Sequence, residues 1–249
     1  MLHVVLQMTV AALASSASGS SLPAPNPTSA SRQIIVVTTP DWTSTTGTLR
    51  RFERRNASGP WVAVGGPTAV VVGRTGVALG LGFESLDRTG PAKHEGDGKA
   101  PAGVFPLDTA FGFAPGDSAR NIRLPYTQLL PGSDCVDDST SAHYNTVVDK
   151  QHVGRVDWSS AEHMREIWQY QIGVIVGYNA PRPAHGRGSC IFLHIWNGPS
   201  SSTAGCTAFD VNELRRVVEW LDPAQRPMLV QFPRALYDVV SRQWKLPAV

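Results

Sequence analysis

Residues 189–221 read SCIFLHIWNGPSSSTAGCTAFDVNELRRVVEWL, and this stretch contains a strand, a loop and a helix in succession. Residues 190–195 are apolar except for one histidine, which is typical of a buried strand. Asp210 is a favoured N-cap residue, Glu213 follows three residues later, and apolar residues recur after them at helical spacing. We therefore predict a helix over residues 210–221, preceded by a strand and a loop, as in an α+β fold.

The rest of the chain is dominated by short β-like runs that Gly and Pro separate. Runs of this length favour a β-rich fold such as a sandwich. Strands are predicted at residues 34–39, 47–54, 61–64, 68–72, 77–81, 172–178, 190–195 and 228–232. Two further helices are predicted, one capped by Ser159 with Glu162 as its capping-box partner and one over residues 235–244. The predicted class is α+β and β-rich, a β-sandwich with a helix after the Cys206 loop.

The chain has 249 residues, of which 42% are hydrophobic and 17% charged, and this composition is typical of a globular protein. We assign a single domain to residues 33–249. Residues 1–17 combine a short apolar run with an Ala-Leu-Ala site, as in a secretory signal peptide. Residues 18–32 are rich in Ser, Ala and Pro and are predicted to form a flexible linker. We therefore expect export to the periplasm, the cell wall or the medium.

The charge balance argues against nucleic-acid binding, and the hydropathy argues against a transmembrane helix. The formal net charge is +2, from 22 basic and 20 acidic residues, which provides no field for nucleic-acid binding. No stretch approaches the roughly 20 apolar residues that a transmembrane helix requires. We therefore expect neither a nucleic-acid partner nor a membrane span.

Cys206 and His194 are the strongest candidates for catalysis. Cys206 is predicted to lie on a short turn four residues before the helix N-cap, and His194, twelve residues earlier, near the end of a strand. A thiol becomes a strong nucleophile when a nearby histidine accepts its proton. The alternative is a buried structural cysteine and a core histidine, and the residues alone leave both interpretations open.

The loop around Cys206 contains groups that acyl transfer requires. Gly205 allows the main chain to approach a substrate carbonyl, so the amides from Gly205 to Thr207 are candidates for an oxyanion site. The hydroxyls of Ser202 and Thr203 are candidates for orienting the loop or the imidazole.

Thr203-Ala204-Gly205-Cys206, with His194 upstream, resembles the [S/T]-x-G-C motif and the partner histidine of the L,D-transpeptidase (YkuD) family. Residues 96–105, GDGKAPAGVF, resemble the family's G-x-x-x-T-P-x-G-x-F segment. The resemblance covers roughly residues 60–232 and is densest over 94–106 and 189–209.

The sequence is similar to a divergent branch of that family. Ala204 and Ala208 stand where many members have His and Arg, and the His–Cys spacing is shorter than usual. The resemblance implies that Cys206 is the nucleophile and His194 the base, with Gly205 in the oxyanion site. Candidate substrate-binding residues are Arg187, Lys99 and Trp196.

The resemblance also implies a function: cross-linking of peptidoglycan stem peptides through an acyl-cysteine intermediate, with no cofactor. We expect the stem peptides to be the partners and the protein to be a monomer. One alternative is an L,D-carboxypeptidase, in which water replaces the acceptor amine. Others are an inactive wall-binding module, which the missing Arg at position 208 favours, and a secreted β-sandwich adhesin.

The three cysteines allow several pairings. A disulfide between Cys135 and Cys190 would leave Cys206 reactive and would fix the 130s loop beside it. A disulfide between Cys190 and Cys206 would abolish thiol chemistry, and three reduced thiols are the third alternative.

The sequence contains no metal-binding pattern. It has no H-E-x-x-H or C-x-x-C, and the remaining histidines are dispersed, so we expect no metal. Residues 96–98 lack the ending of a phosphate-binding loop. Asp137 and Asp138 are interpreted as a solvated acidic loop.

Overall fold

The structure is a computed structural model, and it describes residues 26–249. The predicted signal peptide and residues 18–25 of the predicted linker lie outside the described residues. Within residues 26–249 the chain forms fourteen strands and two α-helices. In chain order they are β1 (Gln33–Thr39), β2 (Thr46–Glu53), β3 (Val62–Val71), β4 (Val77–Leu79), β5 (Ala100–Pro106), β6 (Thr109–Gly112), β7 (Tyr126–Gln128), β8 (Ser133–Val136), β9 (Val147–Asp149), β10 (Ala161–His163), β11 (Ile172–Ile175), β12 (Phe192–Ile195), β13 (Thr207–Phe209), α1 (Val211–Trp220), β14 (Met228–Pro233) and α2 (Arg234–Trp244).

Eleven strands form one mixed sheet in the order β4-β5-β14-β1-β2-β3-β13-β12-β11-β6-β7, and β10-β8-β9 form a second sheet. The parallel pairs in the large sheet are β1 with β14, β4 with β5, β6 with β7 and β12 with β13. Strand β1 is central, and its sequence QIIVVTT is buried along almost its whole length, as expected of a strand covered on both faces. The predicted α+β, β-rich class and its β-sandwich are therefore confirmed.

Helix α1 begins where the sequence predicts. The carboxylate of Asp210 accepts hydrogen bonds from the main-chain N–H groups of Asn212 and Glu213, which satisfies two donors at the helix N-terminus. The buried face of α1 packs against β11 and β12. Helix α2 packs against β14 and β1, close to its predicted position. The predicted helix after the Cys206 loop is confirmed.

Two strand predictions differ from the structure because of a local irregularity. Residues 61–64 and 68–72, predicted as separate strands, belong to the single strand β3. Gly65 adopts a left-handed conformation with φ of 72°, and the pairing with β2 shifts register between Leu49 and Arg51. The Gly-Gly-Pro sequence thus produces a bulge, not a turn, because glycine tolerates the positive φ.

The helix predicted from Ser159 is wrong. The N–H and hydroxyl of Ser159 both donate to Asp138 Oδ2, at 2.8 Å each, so Ser159 does not cap a helix. Residues Ala161–His163 form β10, which pairs with β8, and a 3₁₀ helix at Trp168–Gln171 follows. Pairing with a strand distant in sequence therefore overrides the local helical signal.

The predicted flexible linker is wrong for its last seven residues, 26–32. The guanidinium of Arg54 donates to the carbonyl oxygens of Ser31, at 2.7 Å, and Thr28, at 2.6 Å. The amide of Asn26 donates to the carbonyl of Trp244 at 2.7 Å. Order therefore begins before Gln33, because distant side chains bind the main chain of this segment.

The described part of the chain has no helix with the length and apolar character required to cross a bilayer.

Candidate active site

Cys206 lies immediately before β13, in an apolar cluster that includes Phe111, Tyr170 and Phe192. Strand β13 runs parallel to β12, with Thr207 opposite Leu193 and Ala208 opposite His194. Cys206 lies in a loop four residues before the N-cap Asp210, as predicted, but the three residues between them form the strand β13, which the sequence did not predict. The central sheet, and not the helix N-terminus, positions the thiol.

The thiol of Cys206 is buried, with 4% of the residue exposed. Its Sγ accepts a hydrogen bond from the N–H of Phe192, at 3.3 Å, and donates to the carbonyl of Cys190, at 3.4 Å. Burial, followed by the charge of Glu162, raises the pKa of Cys206 well above its ordinary value. The resting thiol is therefore protonated at neutral pH.

The structure joins Cys135 and Cys190 in a disulfide and leaves Cys206 free. The disulfide connects β8 to the segment that leads into β12. This places the second sheet beside the Cys206 loop.

A cavity of about 160 Å³ opens beside Cys206. Its walls combine three carboxylates with two cations and several main-chain segments. The acidic residues are Glu95, Asp137 and Glu162, and the basic residues are Arg74 and Lys93. Cys206 therefore faces a small, strongly charged space.

The turn at residues 94–99 forms one wall of this cavity. The carboxylate of Asp97 accepts from the N–H groups of His94, at 2.8 Å, and Lys99, at 2.9 Å, and forms an ion pair with Lys93 at 2.7 Å. The turn leads into β5, as predicted. A Cβ added to Gly205 would lie 3.1 Å from the carbonyl oxygen of Lys99, so the Cys206 loop packs tightly on this turn.

The three carboxylates differ in how well they are paired. Glu95 accepts hydrogen bonds from the hydroxyls of Tyr144 and Ser189. Asp137 Oδ1 is buried and has no hydrogen-bond partner within residues 26–249. Glu162 accepts a hydrogen bond from the hydroxyl of Tyr170. The cavity therefore contains carboxylates with unused acceptor capacity.

Tyr170 binds Glu162 and packs in the same apolar cluster as Cys206. Its ring packs edge-to-face against Phe192 and His194, with centroids 5.3 Å from each. Burial, and secondarily the charges of Asp137 and Glu95, raise the pKa of Glu162 to about 7. Glu162 is therefore able to gain and lose a proton near neutral pH.

His194 is buried against Tyr170 and is not among the residues that line the cavity. Its Nδ1 lies 2.8 Å from the carbonyl oxygen of Ile195 and donates to it, which leaves Nε2 as the acceptor nitrogen. Burial lowers the pKa of His194 to about 4, so the imidazole is neutral. Within residues 26–249, no hydrogen bond joins His194 to Cys206, and the imidazole packs edge-to-face on the ring of Tyr170.

One amide of the predicted oxyanion site is engaged within the loop, and Thr203 orients that loop as predicted. The N–H of Gly205 donates to Thr203 Oγ1 at 3.2 Å, and that hydroxyl donates to the carbonyl of Cys206 at 2.7 Å. Thr203 therefore orders the loop, and the Gly205 amide is already engaged. The hydroxyl of Thr207 donates to Gln231 in the core at 2.7 Å, and Ser202 is exposed.

The residues predicted to bind substrate are not among those that line the cavity. Arg187 forms an ion pair with Glu84, and Lys99 donates to the carbonyl of Thr75. Trp196 lines a separate groove over α1. The cations at the cavity are instead Arg74 and Lys93.

Sequence reasoning missed these two cations and Tyr170. The one available signal was Lys93, directly before the 94–106 segment that carries the resemblance. No local sequence pattern marks Arg74 or Tyr170, because segments distant in sequence bring Arg74 to the cavity and Tyr170 into the cluster around Cys206.

Within the described chain, no group of three or more His, Cys, Asp or Glu residues is arranged to hold a metal ion.

Comparison of the chain with protein-family models, with curated proteins and with solved structures finds no match to any of them.

Proposed function

We propose that the protein is an exported cysteine acyltransferase of the L,D-transpeptidase type, acting on peptidoglycan stem peptides with Cys206 as its nucleophile. One observation carries the proposal: the two segments with the strongest family resemblance meet at a single cavity. Gly96 lines one wall, Ala204, Gly205 and Cys206 line the other, and the only free thiol of the chain faces this space. A free thiol beside a cavity is the arrangement that a cysteine nucleophile needs for acyl transfer.

The proposed reaction has two steps. The Cys206 thiolate attacks the carbonyl between a diamino acid and a terminal D-amino acid, and the amine leaves with a proton, so that a thioester remains. The side-chain amine of a second stem peptide then attacks the thioester, loses its proton and releases the thiol. The thioester conserves the free energy of the broken amide, so the exchange needs no nucleotide.

The charges at the cavity support a zwitterionic donor. Arg74 and Lys93 provide cations for a carboxylate, while Asp137 and Glu162 provide acceptors for an ammonium group. A cavity of about 160 Å³ has room for one amino-acid side chain but not for a whole peptide. The rest of the stem peptide would therefore lie outside this cavity.

The disulfide between Cys135 and Cys190 supports export, because structural disulfides persist in oxidising compartments. We propose a monomer that acts in the periplasm, the cell wall or the medium.

A second candidate function is a wall-binding module that has lost catalysis. It is favoured by the buried, protonated thiol of Cys206 and by the missing hydrogen bond to His194. In that case the charged cavity would bind a stem peptide without forming a covalent bond.

Acylation by a carbapenem, an electrophilic mimic of the donor peptide, tests the proposal. Intact mass is recorded for wild type, Cys206→Ala and His194→Gln, with the exposed Ser202→Ala as a control for changes in the same loop. We expect one adduct on wild type and on Ser202→Ala, and none on Cys206→Ala. No adduct on wild type, with a free thiol at position 206 confirmed by titration of the unfolded protein, would support the binding module instead.

Products from a tetrapeptide-bearing muropeptide separate transfer from hydrolysis. A cross-linked dimer is expected from the transpeptidase, whereas a tripeptide and a free D-amino acid without dimer would indicate an L,D-carboxypeptidase.

A further inference from the structure

Arg74 is held at the junction of the two segments that meet at the cavity. Its main-chain N–H donates to the carbonyl of Thr203 at 2.8 Å. The next residue, Thr75, donates its N–H to the carbonyl of Gly98 at 3.1 Å. The main chain around Arg74 is therefore bound both to the loop that carries the thiol and to the turn that contains Gly98.

The side chain of Arg74 lies directly on Gly98. A Cβ added to Gly98 would be 3.0 Å from Cγ, Nε and Cζ of Arg74, which is closer than ordinary van der Waals contact. Gly98 also has a φ of 69°, a conformation that favours glycine. The missing side chain at this position lets the Arg74 side chain lie along the turn, where Arg74 lines the cavity together with Cys206.

The two cations at the cavity differ in how they are paired. Lys93 is buried, and its ammonium group donates to Asp97 Oδ1, at 2.7 Å, and to the carbonyl of His94, at 2.6 Å. Within residues 26–249 the guanidinium of Arg74 forms no ion pair and no hydrogen bond. Lys93 therefore holds the turn in place, whereas the donors of Arg74 are available to a ligand.

We infer that Arg74 is the specificity-determining residue of the cavity and that its guanidinium binds the terminal carboxylate of the donor peptide. The inference rests on the proposed function, since this carboxylate belongs to the D-amino acid that leaves when Cys206 attacks. A guanidinium and a carboxylate form two parallel N–H···O hydrogen bonds, a geometry that a neutral amide does not reproduce. The site would therefore select donors that end one residue after the attacked carbonyl.

The size of the cavity favours the terminal carboxylate over a more distant one. Arg74 and Cys206 line the same space of about 160 Å³, so the carboxylate that Arg74 binds must be close to the carbonyl that Cys206 attacks. A longer donor would place a neutral peptide group against the guanidinium, which would lose water without gaining a charged partner. No carboxylate of the cavity wall pairs with Arg74, so the ligand displaces no internal ion pair.

Peptide binding to the Cys206→Ala protein tests the inference without requiring acyl transfer. Isothermal titration calorimetry compares three forms of a stem tetrapeptide that contains diaminopimelate: the free acid, the C-terminal amide, and the form amidated only at the side-chain carboxyl of diaminopimelate. We expect the C-terminal amide to bind about 10- to 100-fold more weakly than the free acid, because a hydrogen-bonded pair of charges is lost. The form amidated at diaminopimelate should bind like the free acid.

Arg74→Gln, introduced into the same Cys206→Ala protein, should abolish the preference for the free acid. The two peptides should then bind equally, at the affinity that the parent protein has for the C-terminal amide. Arg74→Lys keeps the charge without the planar fork and should retain only part of the preference. Arg55→Gln is the matched control, because Arg55 is exposed and does not line the cavity, and it should keep the full preference.

Gly98→Ala tests the placement of Arg74 without removing its charge. The added Cβ would displace the Arg74 side chain from the turn, so the preference for the free acid should fall although the guanidinium remains. Gly186→Ala is the matched control for backbone strain. Gly186 has a similar φ of 73°, but no atom lies within 4 Å of its added Cβ.

Three results would overturn the inference. The parent protein could bind neither peptide or both equally, Arg74→Gln could keep the full preference, or the affinity could depend on the carboxyl of diaminopimelate and not on the terminal one. Failure of the proposed function is distinguishable, because wild type would then form no carbapenem adduct while the preference that depends on Arg74 remained. Failure of the inference alone would leave the adduct on wild type.

Discussion

Asp134 and Glu162 lie on neighbouring strands of the small sheet, one on each face. Asp134 on β8 is opposite His163, whereas Glu162 on β10 is opposite Cys135. The carboxyl group of Asp134 is buried, Glu162 is partly buried, and both belong to the same three-stranded sheet. Their surroundings nevertheless shift their pKa values in opposite directions.

The difference lies in their partners. Burial alone would raise the pKa of Asp134, but hydrogen bonds from His163, Trp158 and Lys150 outweigh it and lower the pKa below its ordinary value. Glu162 has a single neutral donor, Tyr170, and its pKa is raised. A buried carboxylate with several donors stabilises the fold, whereas one with a single neutral donor is available to move a proton.

The largest effect is expected from removing the disulfide that joins this small sheet to the segment before β12. Cys135→Ala with Cys190→Ala opens a cross-link between residues 55 apart, which lowers the free energy of unfolding by about 4 kcal/mol. Urea unfolding measures the loss, with Cys206→Ala as a variant that keeps the disulfide. An unchanged midpoint of unfolding would show that the disulfide does not hold the second sheet beside the cavity.

Asp134→Asn is expected to destabilise the protein by about 3 kcal/mol at pH 7, because Lys150, His163 and Trp158 lose the charge of the buried carboxylate that accepts their hydrogen bonds. The lowered pKa of Asp134 means that its stabilisation is present above the ordinary carboxyl pKa and is lost as the pH falls through its folded value. The deficit should therefore shrink in acid. Asp238→Asn, at an exposed ion pair with Arg234, is the control and should cost less than about 1 kcal/mol.

Glu162→Gln is expected to raise the free energy of unfolding above pH 7, whereas Asp134→Asn lowers it. Because the pKa of Glu162 is about 7 in the fold and 4.5 ordinarily, its stabilising contribution is complete below about pH 4.5 and is lost as the pH rises through 7. The variant should exceed wild type in unfolding free energy by up to about 3 kcal/mol at pH 8, and the gain should shrink towards pH 4.5. A destabilised variant at pH 8 would contradict the comparison.

The smallest effect is expected at the Cys206 loop. Thr203→Val removes the hydroxyl that binds the carbonyl of Cys206 and the N–H of Gly205, and it should cost about 1 kcal/mol of stability. The same variant should slow the formation of the carbapenem adduct, since the loop that carries the thiol loses its order. Ser202→Ala, which is exposed, should change neither quantity.

Local patterns predicted much of the fold. The apolar run in β1, the Asp210 cap of α1 and the Gly-rich turn before β5 all depend on residues close together in sequence. The strand β10 could not be predicted in this way, because its capping-box pattern is typical of a helix and only pairing with β8 makes it a strand. Strands of three or four residues, such as β7 and β9, are too short to show a period.

For the candidate site too, some residues could be predicted from the sequence and others could not. The motif around Cys206 identified the thiol, and the pairing of Cys135 with Cys190 was one of the alternatives that cysteine counting allowed. Of the predicted substrate residues, Arg187 pairs with Glu84, Lys99 donates to the carbonyl of Thr75, and Trp196 lines a different groove.

The amino-acid sequence alone determined the β-rich α+β class, the capped helix after the Cys206 loop and the identity of the one thiol with a recognisable motif. These properties depend on composition, periodicity and short-range hydrogen bonds, which are readable along a chain. Only the tertiary structure decided which charges surround that thiol. Glu162, Tyr170, Lys93 and Arg74 reach it from separate segments, and the protonation of a buried carboxyl depends on the groups that the fold places around it.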